Sequence, residues 1–259
     1  MSYINLRQAT VNATVDIPTA QLICTHWSKL MFLRITTLHG CKDEDITVML
    51  IKQLPLLHVL NAAGGSVDFY ERSCRAEPST SCGGSPLHTL SLYCGWVGTL
   101  MEILPLCPQL TTLSMVLKDR PGPIVPVEKS LQLLKSTKVD ALYLNDYYNL
   151  SNEDVIVLQH MQLHTLSITN VGGGLNNQAI VDLVPTLRSL HTLDLSYCAG
   201  LTYQLVMQVP PLCPTLRSYT FRKPLNWCTN GCGKSSSHFI LNDILPRIFP
   251  HVREFMIRC

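Results

Sequence analysis

The segment Leu87-His-Thr-Leu-Ser-Leu92 returns twice in the chain with little change, as Leu163-His-Thr-Leu-Ser-Ile168 and Leu190-His-Thr-Leu-Asp-Leu195. Its first, fourth and sixth positions are aliphatic and most of the others are polar, which defines a six-residue frame. A frame that recurs along a chain predicts a repeat architecture. Weaker copies begin at Leu30, Leu57, Leu110, Val139, Leu216 and Val252, and Met1-Ser-Tyr-Ile-Asn-Leu6 is a candidate for a tenth frame.

The spacing of the frames leaves room for one strand and one helix in each repeat, since successive frames from Leu30 onward begin 23 to 36 residues apart. Alternation of apolar and polar residues within the frame predicts a strand with one buried face. Ser151 with Asp154 resembles a capping box at the start of a helix. Because each repeat buries its leucines only by stacking on its neighbours, we expect one parallel sheet in chain order. Helices are predicted at Asp45–Leu54, Val97–Leu104, Val127–Leu134, Asn152–His160, Gln178–Val184 and Asn242–Ile248.

The composition is that of a folded protein. Apolar residues make up 46% of the chain and charged residues 15%, far from the composition of disordered chains. A formal net charge of +2 gives no global reason to expect nucleic acid or an anionic membrane as partner, and no apolar run approaches the ~18 residues that cross a bilayer. The eleven cysteines form no compact framework, and the first residues do not resemble a signal peptide. We therefore expect reduced thiols and a protein of the cytoplasm or nucleus.

Three cysteines have fixed places relative to the frames. Cys107 and Cys213 each precede a frame by three residues, and Cys198 is the ninth residue counted from Leu190. In these details residues 30–259 resemble the cysteine-containing leucine-rich repeats of F-box proteins, although most other frames lack Asn or Cys at the ninth position. The resemblance implies an α/β leucine-rich-repeat solenoid, a ribonuclease-inhibitor-like horseshoe with a parallel sheet on its concave side and helices on its convex side. Residues 1–259 would then be a single domain, with a weak N-terminal repeat or cap at 1–29 and about nine repeats at 30–259.

In a horseshoe of this kind, frame positions one, four and six point into the core. Positions two, three, five, seven and eight then line the concave sheet, which is the surface with which such proteins usually bind. The candidate binding residues on this face are His88, Tyr93, Tyr143, His164, His191, Asp194, Tyr197, Arg217, Arg222 and Arg253.

Basic residues gather in the last two frames, at Arg217, Arg222, Lys223, Arg253 and Arg258. One hypothesis is that they form a single basic surface that pairs with an acidic segment of a partner protein through charge-assisted hydrogen bonds. The other is that they only keep an exposed final strand from aggregating.

Residues that could carry chemistry form few clusters. We find no nucleophile beside a base and no pair of carboxylates in contrasting environments, so the sequence predicts neither an enzyme nor a cofactor. The position-two histidines form two neighbouring pairs, but nothing near them supplies further zinc ligands. The loop with Cys228, Cys232 and His238 offers three candidate ligands and supports an alternative, metal-binding hypothesis.

The additional length of the long repeats follows their strands, at Gly64–Pro86, Lys118–Pro126 and Lys223–His238, so these loops should project from one rim. We therefore expect a non-enzymatic scaffold that binds a protein partner on the concave face and this rim. The resemblance offers an alternative, the substrate-recognition subunit of an SCF-type ubiquitin ligase. Ile23–Leu30 is similar to the end of an F-box, but fewer residues precede Leu30 than a complete F-box needs.

Overall fold

The computed structural model describes residues 5–38, 43–62, 84–93, 97–116, 127–223 and 244–258. Within these ranges, helices alternate with parallel strands, so the predicted α/β class with a parallel sheet is confirmed. Contacts divide the chain into two compact units. Unit one holds residues 1–116 and 136–139, and unit two holds residues 117–135 and 140–259.

The described strands of unit one pair in parallel and in chain order. They are β1 (Gln8–Val15), β2 (Phe32–Leu38), β3 (Val59–Asn61), β4 (Thr89–Tyr93) and β5 (Thr112–Val116). β1 belongs to an additional repeat, because the Met31 amide donates to the Arg7 carbonyl (2.8 Å) as the His58 amide donates to the Met31 carbonyl (2.8 Å). Residues 1–4 of the candidate tenth frame lie outside the described residues, and the first described strand begins at Gln8.

The helices of unit one are α1 (Ile17–His26), α2 (Asp43–Gln53) and α3 (Val97–Ile103), and each contacts the next. α1 begins at Ile17 because the Asp16 carboxylate accepts a hydrogen bond from the Thr19 amide (2.9 Å), a favourable N-cap. α3 runs into a 3₁₀ turn at Leu104–Leu106.

Unit two repeats the same alternation. Its described strands, which again pair in parallel and in chain order, are β6 (Ala141–Asn145), β7 (Thr165–Thr169), β8 (Thr192–Asp194), β9 (Ser218–Arg222) and β10 (Glu254–Arg258). Its helices are α4 (Val127–Leu134), α5 (Asn152–Ile156), α6 (Asn177–Leu183) and α7 (Gln204–Leu212), each in contact with the next, and a helical turn spans 244–248.

The predicted capping box is present at the start of α5. The Ser151 hydroxyl accepts from the Asp154 amide (3.3 Å), and the Asp154 carboxylate accepts from the Ser151 amide (2.9 Å). The helix ends at Ile156, earlier than predicted, because the following amides bond three residues back in successive tight turns. His160 then takes a left-handed conformation, with φ of 66°.

The core consists of the frame positions that the sequence assigns to it. Positions one, four and six are buried in all nine predicted frames, apart from Phe255, which is half-buried. Each fully buried leucine contributes about 1.5–3 kcal/mol relative to an exposed one. The repeated aliphatic layer is therefore the main source of stability.

Most of the three predicted rim loops lies outside the described residues, which exclude 63–83, 117–126 and 224–243. Among the described residues, no helix has the length and apolar character required to cross a membrane.

Candidate functional site

One row of side chains runs across the strands of unit two at frame position two. The His164 amide donates to the Asp140 carbonyl (2.7 Å), and the His191 amide donates to the His164 carbonyl (2.8 Å). In the same way, the Arg217 amide donates to the His191 carbonyl (2.7 Å), and the Arg253 amide donates to the Arg217 carbonyl (2.8 Å). These five residues, which we call the position-two row, therefore lie at the successive strand spacing of ~4.8 Å.

The first half of the position-two row contains an acid and two imidazoles. His164 Nδ1 lies 3.7 Å from Asp140 Oδ2, and the rings of His164 and His191 stack with centroids 5.4 Å apart. Burial raises the pKa of Asp140, and the charge of His164 opposes that rise. The predicted neighbouring pair of histidines is thus present, with the carboxylate of Asp140 beside it.

The second half of the row is basic and exposed, with Arg217 and Arg253 side by side directly before β9 and β10. Arg217 Nη1 donates to the carbonyl oxygens of Pro214 (3.2 Å), Leu216 (3.3 Å) and His251 (3.2 Å). Among the described residues, neither arginine forms a salt bridge with a carboxylate.

The remaining members of the expected basic cluster lie elsewhere. Arg222 is half-buried and ends β9, so its Cα lies about 16 Å from that of Arg217 at ~3.3 Å per residue. Lys223 is buried, and the side chain of Arg258 is outside the described residues. Of the basic residues that were expected to form one surface, only Arg217 and Arg253 are described as adjacent and exposed.

The centre of the face in unit two contains Tyr143 and Asp194, both half-buried. The Asp194 carboxylate accepts hydrogen bonds from the amide (3.0 Å) and the hydroxyl of Ser196. Burial raises the pKa of Asp194, and the Ser196 hydrogen bonds and the charge of Arg222 oppose that rise.

Two tyrosines are exposed where the strands end. Tyr148 is 45% exposed and Tyr197 is 42% exposed. Between their repeats, the Asn170 side chain donates to the Asp146 carboxylate and to the Tyr148 hydroxyl (3.3 Å). Asp146, Asn170 and Tyr197 occupy equivalent turns with φ of 61°, 54° and 61°. Tyr148 is not among the residues predicted from the sequence, although the Asp and Asn that recur after the strands are a signal for these turns.

The equivalent face of unit one is more closed. The rings of His58 and His88 stack with centroids 5.6 Å apart. Nδ1 of His58 donates to the Pro86 carbonyl (3.1 Å), and Nδ1 of His88 donates to the Gln109 carbonyl (3.2 Å). These imidazoles therefore join neighbouring repeats. The side chain of Tyr93 lies outside the described residues.

Position five differs from the expectation that it is open to a partner. Asn61, Ser91, Ser114 and Ser167 are buried at this position. In unit two, Tyr143, Asp194 and Thr220 are half-buried at this position, and Met256 is exposed. Position five is therefore only partly accessible to a partner.

Neither reactive thiols nor metal ligands gather among the described residues. Cys24, Cys107, Cys198 and Cys213 are free and buried, and burial raises the pKa of Cys107 and Cys198 to about 12. Thiols with such a pKa are poor nucleophiles at neutral pH. The part of the chain that the structure describes contains no group of three or more His, Cys, Asp or Glu side chains that could hold a metal ion. Cys228, Cys232 and His238 lie outside it, and elemental analysis for zinc tests that hypothesis.

Comparison of the sequence with protein-family models and with curated proteins gives no match.

Proposed function

We propose that this chain is a leucine-rich-repeat horseshoe that acts as a non-enzymatic protein-binding module of the cytoplasm or nucleus. Its binding surface is the outward side of the unit-two strands, together with the turns that follow them. One observation carries the proposal: side chains at frame positions four and six are buried in this unit, apart from Phe255, whereas four of the five side chains in the position-two row are exposed, as is Tyr197 at position eight. A sheet with one buried side offers its other side to a partner.

The composition of the exposed side supports a protein as the partner. Tyr148 and Tyr197 present aromatic rings with polar tips, and Arg217 and Arg253 present guanidinium groups. Tyrosine and arginine are enriched among the residues that contribute most to binding at protein interfaces. Asp194 is held in place by Ser196, which limits the side-chain entropy lost when a partner binds.

The test compares two double variants in quantitative affinity purification. The face variant is Tyr148→Ser with Tyr197→Asn, because asparagine tolerates the left-handed conformation at position 197. The matched control is Ile156→Ser with Met207→Ser, on α5 and α7, where the side chains are 47% and 45% exposed. We expect proteins that co-purify with the wild type to be retained by the control and to fall about tenfold or more with the face variant, a loss of about 1.4 kcal/mol.

Equal recovery with both variants would contradict the proposal. So would a loss that is as large with the control as with the face variant. Circular dichroism of both variants verifies that each remains folded.

The alternative function, the substrate-recognition subunit of an SCF-type ubiquitin ligase, draws support from the cysteines. Cys198 Sγ donates to the Ile168 carbonyl (3.2 Å), and Cys213 Sγ donates to the Leu190 carbonyl (3.6 Å). Each thiol thus joins one repeat to the previous one, a structural role that fits repeats with a fixed cysteine. Co-purification with the ligase adaptor tests this alternative, and its absence would remove it.

A further inference from the structure

The position-two row changes its charge from one end to the other. Asp140 at one end has the imidazole of His164 beside it, whereas Arg217 and Arg253 at the other end are adjacent like charges. Like charges directly opposite each other on neighbouring strands are destabilising. No carboxylate among the described residues pairs with either arginine to offset this repulsion. An anionic group brought by a partner would do so.

We propose that Arg217 and Arg253 bind carboxylates of an acidic segment in a partner protein. This inference rests on the proposed function, because it names the chemistry of the partner that the outward face of unit two would take.

The hydrogen bonds of Arg217 prepare it for such a ligand. They involve Nη1 alone, which donates to three backbone carbonyls. Nε and Nη2 have no hydrogen bond to a described residue, so they remain available on an exposed side chain. An arginine held in one geometry loses less entropy on binding, and its planar group pairs with a carboxylate through parallel hydrogen bonds.

The position of Arg217 also argues against a purely protective role. Charged residues on an edge strand prevent further strands from adding to a sheet. Arg253 could serve in this way, because among the described strands β10 pairs only with β9. Arg217, however, directly precedes β9, which has a neighbour on each side. Edge protection therefore explains one arginine and leaves the other unexplained.

The neighbour of Arg217 on the other side of the row leaves room for a ligand. His191 is exposed, and its Nδ1 donates to the Ser189 carbonyl (2.6 Å), within its own repeat. Among the described residues, its side chain therefore does not cover the guanidinium group of Arg217 with a hydrogen bond.

The probe is a fluorescein-labelled peptide of eight glutamates, with an eight-glutamine peptide as the neutral control, titrated with the full chain by fluorescence anisotropy. Arg217→Glu with Arg253→Glu is compared with Lys129→Glu with Lys135→Glu, which makes the same change of charge at exposed lysines away from the row. We expect the arginine variant to weaken glutamate-peptide binding about tenfold or more and the lysine variant to change it less than about threefold. Binding should also weaken from about 25 to about 300 mM NaCl.

Arg217→Ala with Arg253→Ala is a second variant that removes both guanidinium groups without reversing their charge. It should also weaken binding of the glutamate peptide, and it replaces the glutamate variant if the charge reversal disturbs folding. The inference would be overturned if the wild type bound the glutamate and glutamine peptides with equal affinity. It would also be overturned if the arginine variants bound the glutamate peptide as tightly as the wild type does. A mixed-sequence single-stranded oligonucleotide that binds more tightly than the peptide, and is released by the arginine variants, would also overturn it.

Failure of this inference is distinguishable from failure of the proposed function. If proteins are lost with Tyr148→Ser and Tyr197→Asn while the arginine variants retain them at every salt concentration, the face binds a protein but no acidic segment at this pair. If neither set of variants changes the recovered proteins, both proposals fail.

Discussion

Two glycines of unit two lie where the turn of one repeat touches the turn of the previous one. A Cβ atom on Gly172 would lie 2.2 Å from the Tyr148 carbonyl oxygen, and one on Gly200 would lie 2.0 Å from that of Leu175. Each of these oxygens belongs to the backbone, so it cannot move aside without moving the chain. The repeats can therefore stack at these two positions only if the residue is glycine. This stacking sets the position of Tyr148 on the candidate face.

Gly172→Ala should lower the free energy of unfolding by about 1–3 kcal/mol, because the added methyl group forces the two turns apart. Gly173→Ala is the matched control, since a Cβ there meets nothing within 4 Å, and it should change stability by less than about 0.5 kcal/mol. Urea unfolding measures both. Equal effects of the two substitutions would contradict the described contact.

Asp194 should make stability depend on pH. Burial raises its folded-state pKa above the ordinary value of 3.8, so its contribution to the free energy of unfolding is greatest below that value and declines as the pH rises through the folded-state pKa. The difference in stability between wild type and Asp194→Asn should therefore move in favour of wild type as the pH falls from about 7 to about 4. Urea unfolding across this range measures the difference, and a constant difference would contradict the raised pKa.

Which side chains point inward could be predicted residue by residue, because strand alternation fixes the side on which each lies. How far the outward ones are exposed could not. Ser167 and Tyr143 share position five, yet only the serine is buried, so exposure does not follow from the frame position alone. Lys223 was likewise expected on the basic surface and is buried.

Strands were predicted more completely than helices. The frame contains its own strand pattern, whereas the helices lie between frames. α7 contains Pro210 and Pro211 in its last turn, residues that normally stop a helix, and α1 precedes the first clear frame. Neither was predicted. The start of α5 was predicted because the capping box is a local signal, and its end was not, because the tight turns up to His160 have none.

Leu166 and Leu193 occupy position four on adjacent strands and face each other in the sheet register. Both are fully buried, so replacing either with alanine should destabilise the protein by about 2–5 kcal/mol. Leu56→Ala is the control, because this leucine is exposed and should cost far less. Guanidinium unfolding gives the comparison. A negligible effect at Leu166 and Leu193 would mean that the aliphatic layer contributes little to the core.

For the molecule as a whole, the repeat predicts the α/β architecture, and the face takes one or two residues from each repeat. The sequence therefore predicts that His164, His191 and Arg217 share a row, because the period and the strand register place them there. It does not predict the stack of His164 on His191 or the three carbonyls around Arg217, which depend on side-chain conformation. The sequence therefore predicts which residues share the face, and the structure adds their side-chain contacts.

Photo-crosslinking tests most directly whether a partner protein occupies the outward face of unit two. p-Benzoylphenylalanine is placed at position 197, which keeps an aromatic ring there, or at position 207 on α7, where the native methionine is equally exposed. Irradiation of the complex formed with co-purified proteins should give a covalent adduct from position 197 and little from position 207. Adducts from position 207 alone, or equal yields from both positions, would contradict the account.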